Sequence, residues 1–154
     1  TNMKQITIKV AWNNSAFEGL VSSETSYGEM KIVTKDFNDI IDMGEAELKI
    51  GFDGYTEFGL ELPEWYKNKE YEFVYKFQDV TAMLKAYSSY VSLAAISRET
   101  GINSALLSHY ANGLKVPRNK QQKIIVSGLH RIGALLSKCT IDDERKTQLN
   151  IERK

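Results

Sequence analysis

Residues Thr100–Arg118 read TGINSALLSHYANGLKVPR: a Gly, a short polar run and an apolar stripe, then a basic Pro-containing loop. Gly101 stands where a preceding helix has to end in a left-handed conformation, which Gly adopts at little cost. Ile102 follows as an inward anchor, and Asn103 is a helix N-cap. The spacing then predicts a short helix, SALLSHYAN, ending at Gly113. Leu106, Leu107 and Tyr110 fall on its inner side, which leaves Ser104, Ala105, Ser108 and His109 outside. GLKVPR is a turn with Lys115 and Arg118 exposed. A helix, a Gly turn, an apolar residue and a second short helix form the helix-turn-helix pattern. The residue types have a mechanical reason: an outward face of short polar side chains lets a helix backbone approach base edges in a groove about 12 Å wide. The rival reading is an ordinary helical hairpin. It fits less well, because a solvated helix face is usually rich in Glu and Lys.

The flanking segments complete a helical bundle. Asp79 is placed to cap a helix over VTAMLKAYSSYV, with Val80, Met83, Leu84 and Tyr87 on one face. Ser92 is placed to cap SLAAISRET, whose inward residues are Leu93 and Ile96. The last helix, KQQKIIVSGLHRIGALLSK, carries Ile124, Ile125, Gly128, Ile132, Leu135 and Leu136 at helical spacing.

Charge separates this bundle from what precedes it. The chain has 154 residues and zero formal net charge. Residues 1–79 nevertheless hold 8 Lys and no Arg against 15 acidic residues, a net of −7. Residues 80–141 hold 8 basic residues against Glu99 alone, a net of +7, while the tail 142–154 balances. A basic half suggests a polyanion as partner, and an acidic half something basic. Apolar residues make up 42% of the chain, enough for real cores. No apolar run approaches the ~18 residues of a membrane span, and the alternating TNMKQITIKVAW is not a signal peptide. Cys139 is alone. Neither a disulfide framework nor a thiolate zinc site is therefore expected within one chain, and a reduced cytoplasmic protein is.

The acidic half reads as a small α+β unit. Ile6, Ile8, Val10 and Trp12 alternate with polar residues as in a half-buried strand. NNSA is a turn, EGLVSSE a second, weaker strand that closes a hairpin, and GEMKIVT a third short strand. From Thr34 the spacing predicts a helix with Phe37, Ile41, Gly44 and Leu48 on one face, Ile40 and Met43 beside it, and Asp36 and Asp39 near its start. GFDGYTEFGLELPEWYKNK reads as loop. YEFVYKF is the clearest strand, with Tyr71, Phe73, Tyr75 and Phe77 on one side. Such a stripe is either a core against which a helix packs or a base-stacking platform for RNA. The core reading fits better, because the interleaved Glu72, Val74 and Lys76 supply little charge for phosphates.

Nothing in the chain marks an enzyme. Ser108 and His109 are adjacent and point to different sides of a helix, so they do not form a nucleophile–base pair. No Gly-rich loop carries the following Lys and Ser/Thr that cradle a phosphate. His130 and Cys139 lack partners at metal-ligand spacing and read as structural. No cofactor and no metal are expected.

Residues Ser92–Leu136 resemble the Cro/repressor-type (XRE) helix-turn-helix domain through Gly101, Ile102, Leu107, Gly113, Pro117 and the Ile124–Leu136 stripe. More narrowly, TGIN, LLSHYANG and GLHRIG are similar to the C-terminal domain of HicB-like antitoxins. The first half is similar to them only in its order of strands, helix and strand. Ser97 replaces the family's small Ala before the turn, Arg118 its capping Ser after the Pro, and Gln122 an apolar residue. The segment between the first helix and the Tyr71 strand is also longer than in the family.

The resemblance implies an α+β protein. Residues 1–78 are expected to form a small antiparallel sheet plus helix, a HicB-like partial RNase H/dsRBD-type unit that binds a partner or dimerises. Residues 79–140 are expected to form an all-α lambda-repressor-like helix-turn-helix bundle, and 141–154 a polar tail. It implies that Ser104, Ala105, Ser108 and His109 face bases. Ser92 and Asn103 would face phosphates at helix starts, and Lys115, Arg118 and Lys120 would contact the DNA backbone. His109 could equally be a half-exposed surface residue. The function this implies is sequence-specific operator binding by a homodimer or higher even oligomer, as the antitoxin of a type II pair that represses its own operon. Its further partner would be a small basic RNA-cleaving toxin, with no membrane involved. A stand-alone XRE-type repressor and an RNA-binding regulator remain as alternatives.

Overall fold

The computed structural model describes residues 3–22 and 29–143. Ser23 and Glu24 of the second expected strand, Gly28 of the third and residues 144–154 of the expected tail lie outside the described residues. The elements are β1 (Lys4–Asn13), β2 (Ala16–Val21), β3 (Met30–Thr34), α1 (Ile40–Glu57), α2 (Glu64–Lys67), β4 (Tyr71–Phe77), α3 (Val80–Tyr87), α4 (Leu93–Thr100), α5 (Ser104–Ala111) and α6 (Asn119–Leu136). The protein is a mixed α+β structure: among the described residues a four-stranded sheet, ordered β3-β2-β1-β4, accompanies six α-helices. Among these residues no helix is long and apolar enough to cross a membrane.

β1 and β2 pair through Asn13 and Ala16, so the loop between them is Asn14–Ser15 alone. Both residues have positive φ, 53° and 59°. A two-residue turn that matches strand twist requires such angles. The second strand therefore starts at Ala16, two residues before the expected Glu18. The expected antiparallel sheet is also corrected. β2 is antiparallel to β1 and β3, but β4 lies parallel to β1 with Ile6 opposite Phe73 and Val10 opposite Phe77. A parallel pair needs a long crossover, and α1 with α2 supplies it.

Two features of α1 differ from expectation. A 3-10 turn, Phe37–Asp39, precedes it, and Asp36 caps that turn by accepting from Asn38 N–H. The turn shifts the helical phase, so Ile40 is buried at 1% exposure whereas Ile41 is 49% exposed. The helix also continues through Gly51 and Gly54 to Glu57, where a loop was expected. Tertiary burial overrides the weak helix propensity of the two Gly. Phe52 is buried, with its ring centroid 4.2 Å from Tyr66, 5.1 Å from Tyr55 and 5.6 Å from Trp65. Gly44 has a packing role, since a Cβ there would stand 3.1 Å from the Phe73 ring.

The aromatic stripe of β4 packs against the sheet–α1 cluster built on Ile6, Ile8, Val10 and Phe37. A second cluster joins Val80, Met83, Leu84, Ile96, Ile102, Leu107, Tyr110 and Ile125. α3 lies between the two. It is shorter than expected, because helical bonding stops at Tyr87. Ala86 belongs to the sheet cluster, Val80 and Leu84 to the helical one, and Phe77 and Tyr87 pack against both. Lys85 Nζ sits 5.0 Å from the centre of the Trp12 ring, within the range of a cation–π contact.

Burial pushes the Tyr75 phenol up to about 12. Burial, and then donation to Glu45, also raise Tyr71. A folded-state pKa above the unfolded value of ~10 means that stability is complete below that pH and is lost as pH rises through the folded value. Alkaline unfolding is therefore expected between pH ~10 and about 12. Tyr75→Phe should raise its midpoint, read by tyrosinate absorbance together with far-ultraviolet circular dichroism.

Candidate nucleic-acid interface

The segment around α4 and α5 is fixed by short polar bonds at each corner. Ser92 Oγ accepts from Ala95 N–H at 3.0 Å and caps α4. The helix ends at Gly101, whose φ is 76° and whose N–H donates to Ser97 O at 2.8 Å. The Ser97 hydroxyl donates to Ile102 O at 2.5 Å, and the Thr100 hydroxyl donates to Ile96 O at 2.7 Å. Ser97, where the resemblance has Ala, thus ties the turn together. Asn103 Oδ1 accepts from Ala105 N–H at 2.7 Å and caps α5.

Leu107 and Tyr110 seat α5 in the helical cluster, and the Thr81 hydroxyl of α3 donates to Tyr110 O at 2.6 Å. Leu106 packs there too, only partly buried. Ser92, Asn103, Ser104 and Ala105 are exposed as expected. Ser108 and His109 are half-buried, so Ser108 is less exposed than expected and His109 matches the half-exposed alternative. They sit one turn further along α5, where the chain folds back over the helix end. There Leu114 and Lys115 N–H both donate to His109 O, and the Asn112 amide donates to Ser108 Oγ.

Buried Pro117 anchors the following turn, and the Gln122 amide donates to its carbonyl at 3.3 Å. This bond gives Gln122 a use at a position where the resemblance expects an apolar residue. Arg118 is the N-cap of α6 and makes no capping bond, so its side chain is left to other partners. Lys115, Arg118 and Lys120 are exposed and are in no ion pair among the described residues. Glu99, the one acid of the basic half, is held by Arg131, with Nε 2.6 Å from Oε1. The sequence reading missed Leu114 and Val116, which are exposed on either side of Lys115. The signal lies in the helix ending: the apolar residue after a C-terminal Gly usually packs back onto the helix, but the residue available to Leu114 is His109.

α6 crosses α4 at Gly128, where an added Cβ would lie 2.5 Å from Thr100 Cγ2. The Thr100 hydroxyl is committed to Ile96 O and holds that methyl in place. Gly128→Ala is therefore expected to cost ~1–3 kcal/mol by overpacking. Gly133 has open space at its Cβ, so Gly133→Ala should gain ~1 kcal/mol of helix propensity. Chemical denaturation of the two variants checks the contrast.

His130 and Cys139 are exposed. Among the described residues no three of His, Cys, Asp and Glu come together to hold a metal. The rings of Tyr71, Phe73, Tyr75 and Phe77 face the sheet–α1 cluster, so an RNA platform would have to draw them out of the core. No family model matches this chain, and neither a curated protein nor a solved structure does.

Proposed function

We propose that the protein is a sequence-specific double-stranded DNA-binding regulator of transcription, with α5 entering the major groove. One observation carries the reading. The exposed start of α5 (Asn103, Ser104, Ala105) is free of acids and is followed by Lys115, Arg118 and Lys120, while Glu99 is already neutralised by Arg131. Short side chains admit the helix to base edges, and its capped N-terminus and the three cations favour phosphates. Ser108 and His109, half-buried, serve the inner part of the contact. Two copies bound to a two-fold operator place their α5 helices one DNA turn apart. The exposed apolar end of α6, Leu135 and Leu136, supports a second copy.

The HicB-like resemblance adds an antitoxin role, in which the acidic half holds a small basic RNA-cleaving toxin. Asp42, Glu57 and Glu61 on and after α1 are exposed, and their charge suits that partner. A stand-alone repressor lacks the toxin partner.

Titration of the upstream DNA of its own reading frame, repeated across salt concentrations, tests the core of the reading. Affinity should fall steeply with salt, and Ser104 or Ser108 substitutions should change which sequence is preferred. Flat salt dependence refutes it. Co-expression with the neighbouring reading frame and pull-down separates antitoxin from free-standing repressor.

A further inference from the structure

Among the described residues β4 pairs with β1 only and is an edge of the sheet. Its ladder uses even-numbered residues: Lys4 N–H donates to Glu70 O at 2.9 Å, and Gln78 N–H donates to Val10 O at 2.8 Å. In a parallel ladder the intervening residues turn their amides and carbonyls the other way. Those of Tyr71, Phe73, Tyr75 and Phe77 therefore point off the free edge. The strand has seven residues, and such an edge is a template for another strand unless charge, Pro or a bulge blunts it. Here nothing does. Glu72 and Lys76 are exposed on the open face and opposite in sign.

The strand is also symmetric in residue type about Val74: aromatic, charged, aromatic, Val, aromatic, charged, aromatic. We propose that two copies of the protein pair antiparallel through β4, about a two-fold axis at Val74, to make one continuous sheet. In this register Glu72 faces Lys76 of the second copy and Lys76 faces Glu72, at non-hydrogen-bonded positions where side chains come closest. Phe73 faces Tyr75 and Tyr71 faces Phe77, so aromatic pairs continue the core-facing stripe across the axis. All four rings pack on the core cluster and none is fully buried, as expected of rings awaiting a neighbour. A slip of one residue would turn the second copy's rings onto the open face, which fixes the register.

The end of the edge has room. A groove of about 460 Å³ separates Phe77 and Met83 from Val126, Leu129, Ile132 and Leu136 of α6. The register sets Tyr71 of the second copy opposite Phe77, beside this apolar groove. The pairing deepens the two-copy reading above without resting on DNA binding, and its tests contain no DNA, so either can fail alone.

In a Cys139→Ser background, Val74→Cys meets its own copy across the axis with Cα atoms ~4.5 Å apart, inside disulfide reach. Mild oxidation of the full chain should give a covalent dimer. Glu72→Cys, whose two copies lie ~14 Å apart in this register, should not. By sedimentation equilibrium Glu72→Lys and Lys76→Glu should each weaken the dimer about tenfold, while the double swap restores it to within about twofold. Both side chains are exposed, and circular dichroism of each variant confirms the fold. A monomeric wild type, a Val74→Cys chain that stays uncoupled, equal coupling at Glu72→Cys, or a double swap as weak as the single changes overturns the pairing.

Discussion

Phe52→Ala should lower the unfolding free energy by about 3–5 kcal/mol, the range for truncating a fully buried aromatic. Its ring is 1% exposed and lies among Tyr55, Trp65 and Tyr66. Those residues come from α1 and α2, and Leu62 and Tyr71 pack against the same cluster. Removing the ring takes away what holds the last turns of α1 in place through Gly51 and Gly54. Phe58, on the same stretch of chain, is 77% exposed and provides the control. Phe58→Ala should change stability by less than about 0.5 kcal/mol. Urea denaturation monitored by circular dichroism reads both. Equal effects at the two positions would mean that the segment is a loop with interchangeable aromatics.

The second large effect is on binding. If the protein binds DNA as proposed, replacing Lys115, Arg118 and Lys120 together by Ala removes three backbone contacts per copy. Each phosphate contact contributes ~0.9 to the slope of log affinity against log salt, so six lost contacts should flatten it by about 5. Affinity at physiological salt should drop on the order of a thousandfold, alike for all sequences. The three side chains are exposed and in no ion pair among the described residues, so folding should be unaffected. Arg118→Ser sharpens the test. Arg118 is an N-cap without a capping bond, and Ser at such a position is worth ~1 kcal/mol. The variant should therefore melt higher and bind DNA more weakly. A fall in both would make Arg118 a structural residue, and unchanged binding by the triple variant would remove this turn from the interface.

The helical half was legible because its signals are local. Ser92, Asn103, Gly101 and Gly113 mark helix ends through backbone chemistry that acts over two to four residues. Each does so in the structure. The depth of Ser108 was not legible. It depends on how the turn after Gly113 folds back to bond His109 O. In the first half the strands of β1 and β4 were clear from period-two alternation. The phase of α1 was not, because a three-residue 3-10 turn ahead of it exchanged Ile41 for Ile40 in the core.

Sequence alone was enough for the ends of β4, α4 and α5 to within a residue, for the division into an acidic and a basic half, and for the apolar side of β1 and β4. These depend on neighbours along the chain. Contacts across the fold, and not the sequence, settle that β4 returns parallel to β1 as an edge among the described strands, that GFDGYTE is helix, and that Glu99 is spent on Arg131. Each of these depends on contacts between distant residues, whose burial or pairing outweighs local preferences of about a kcal/mol.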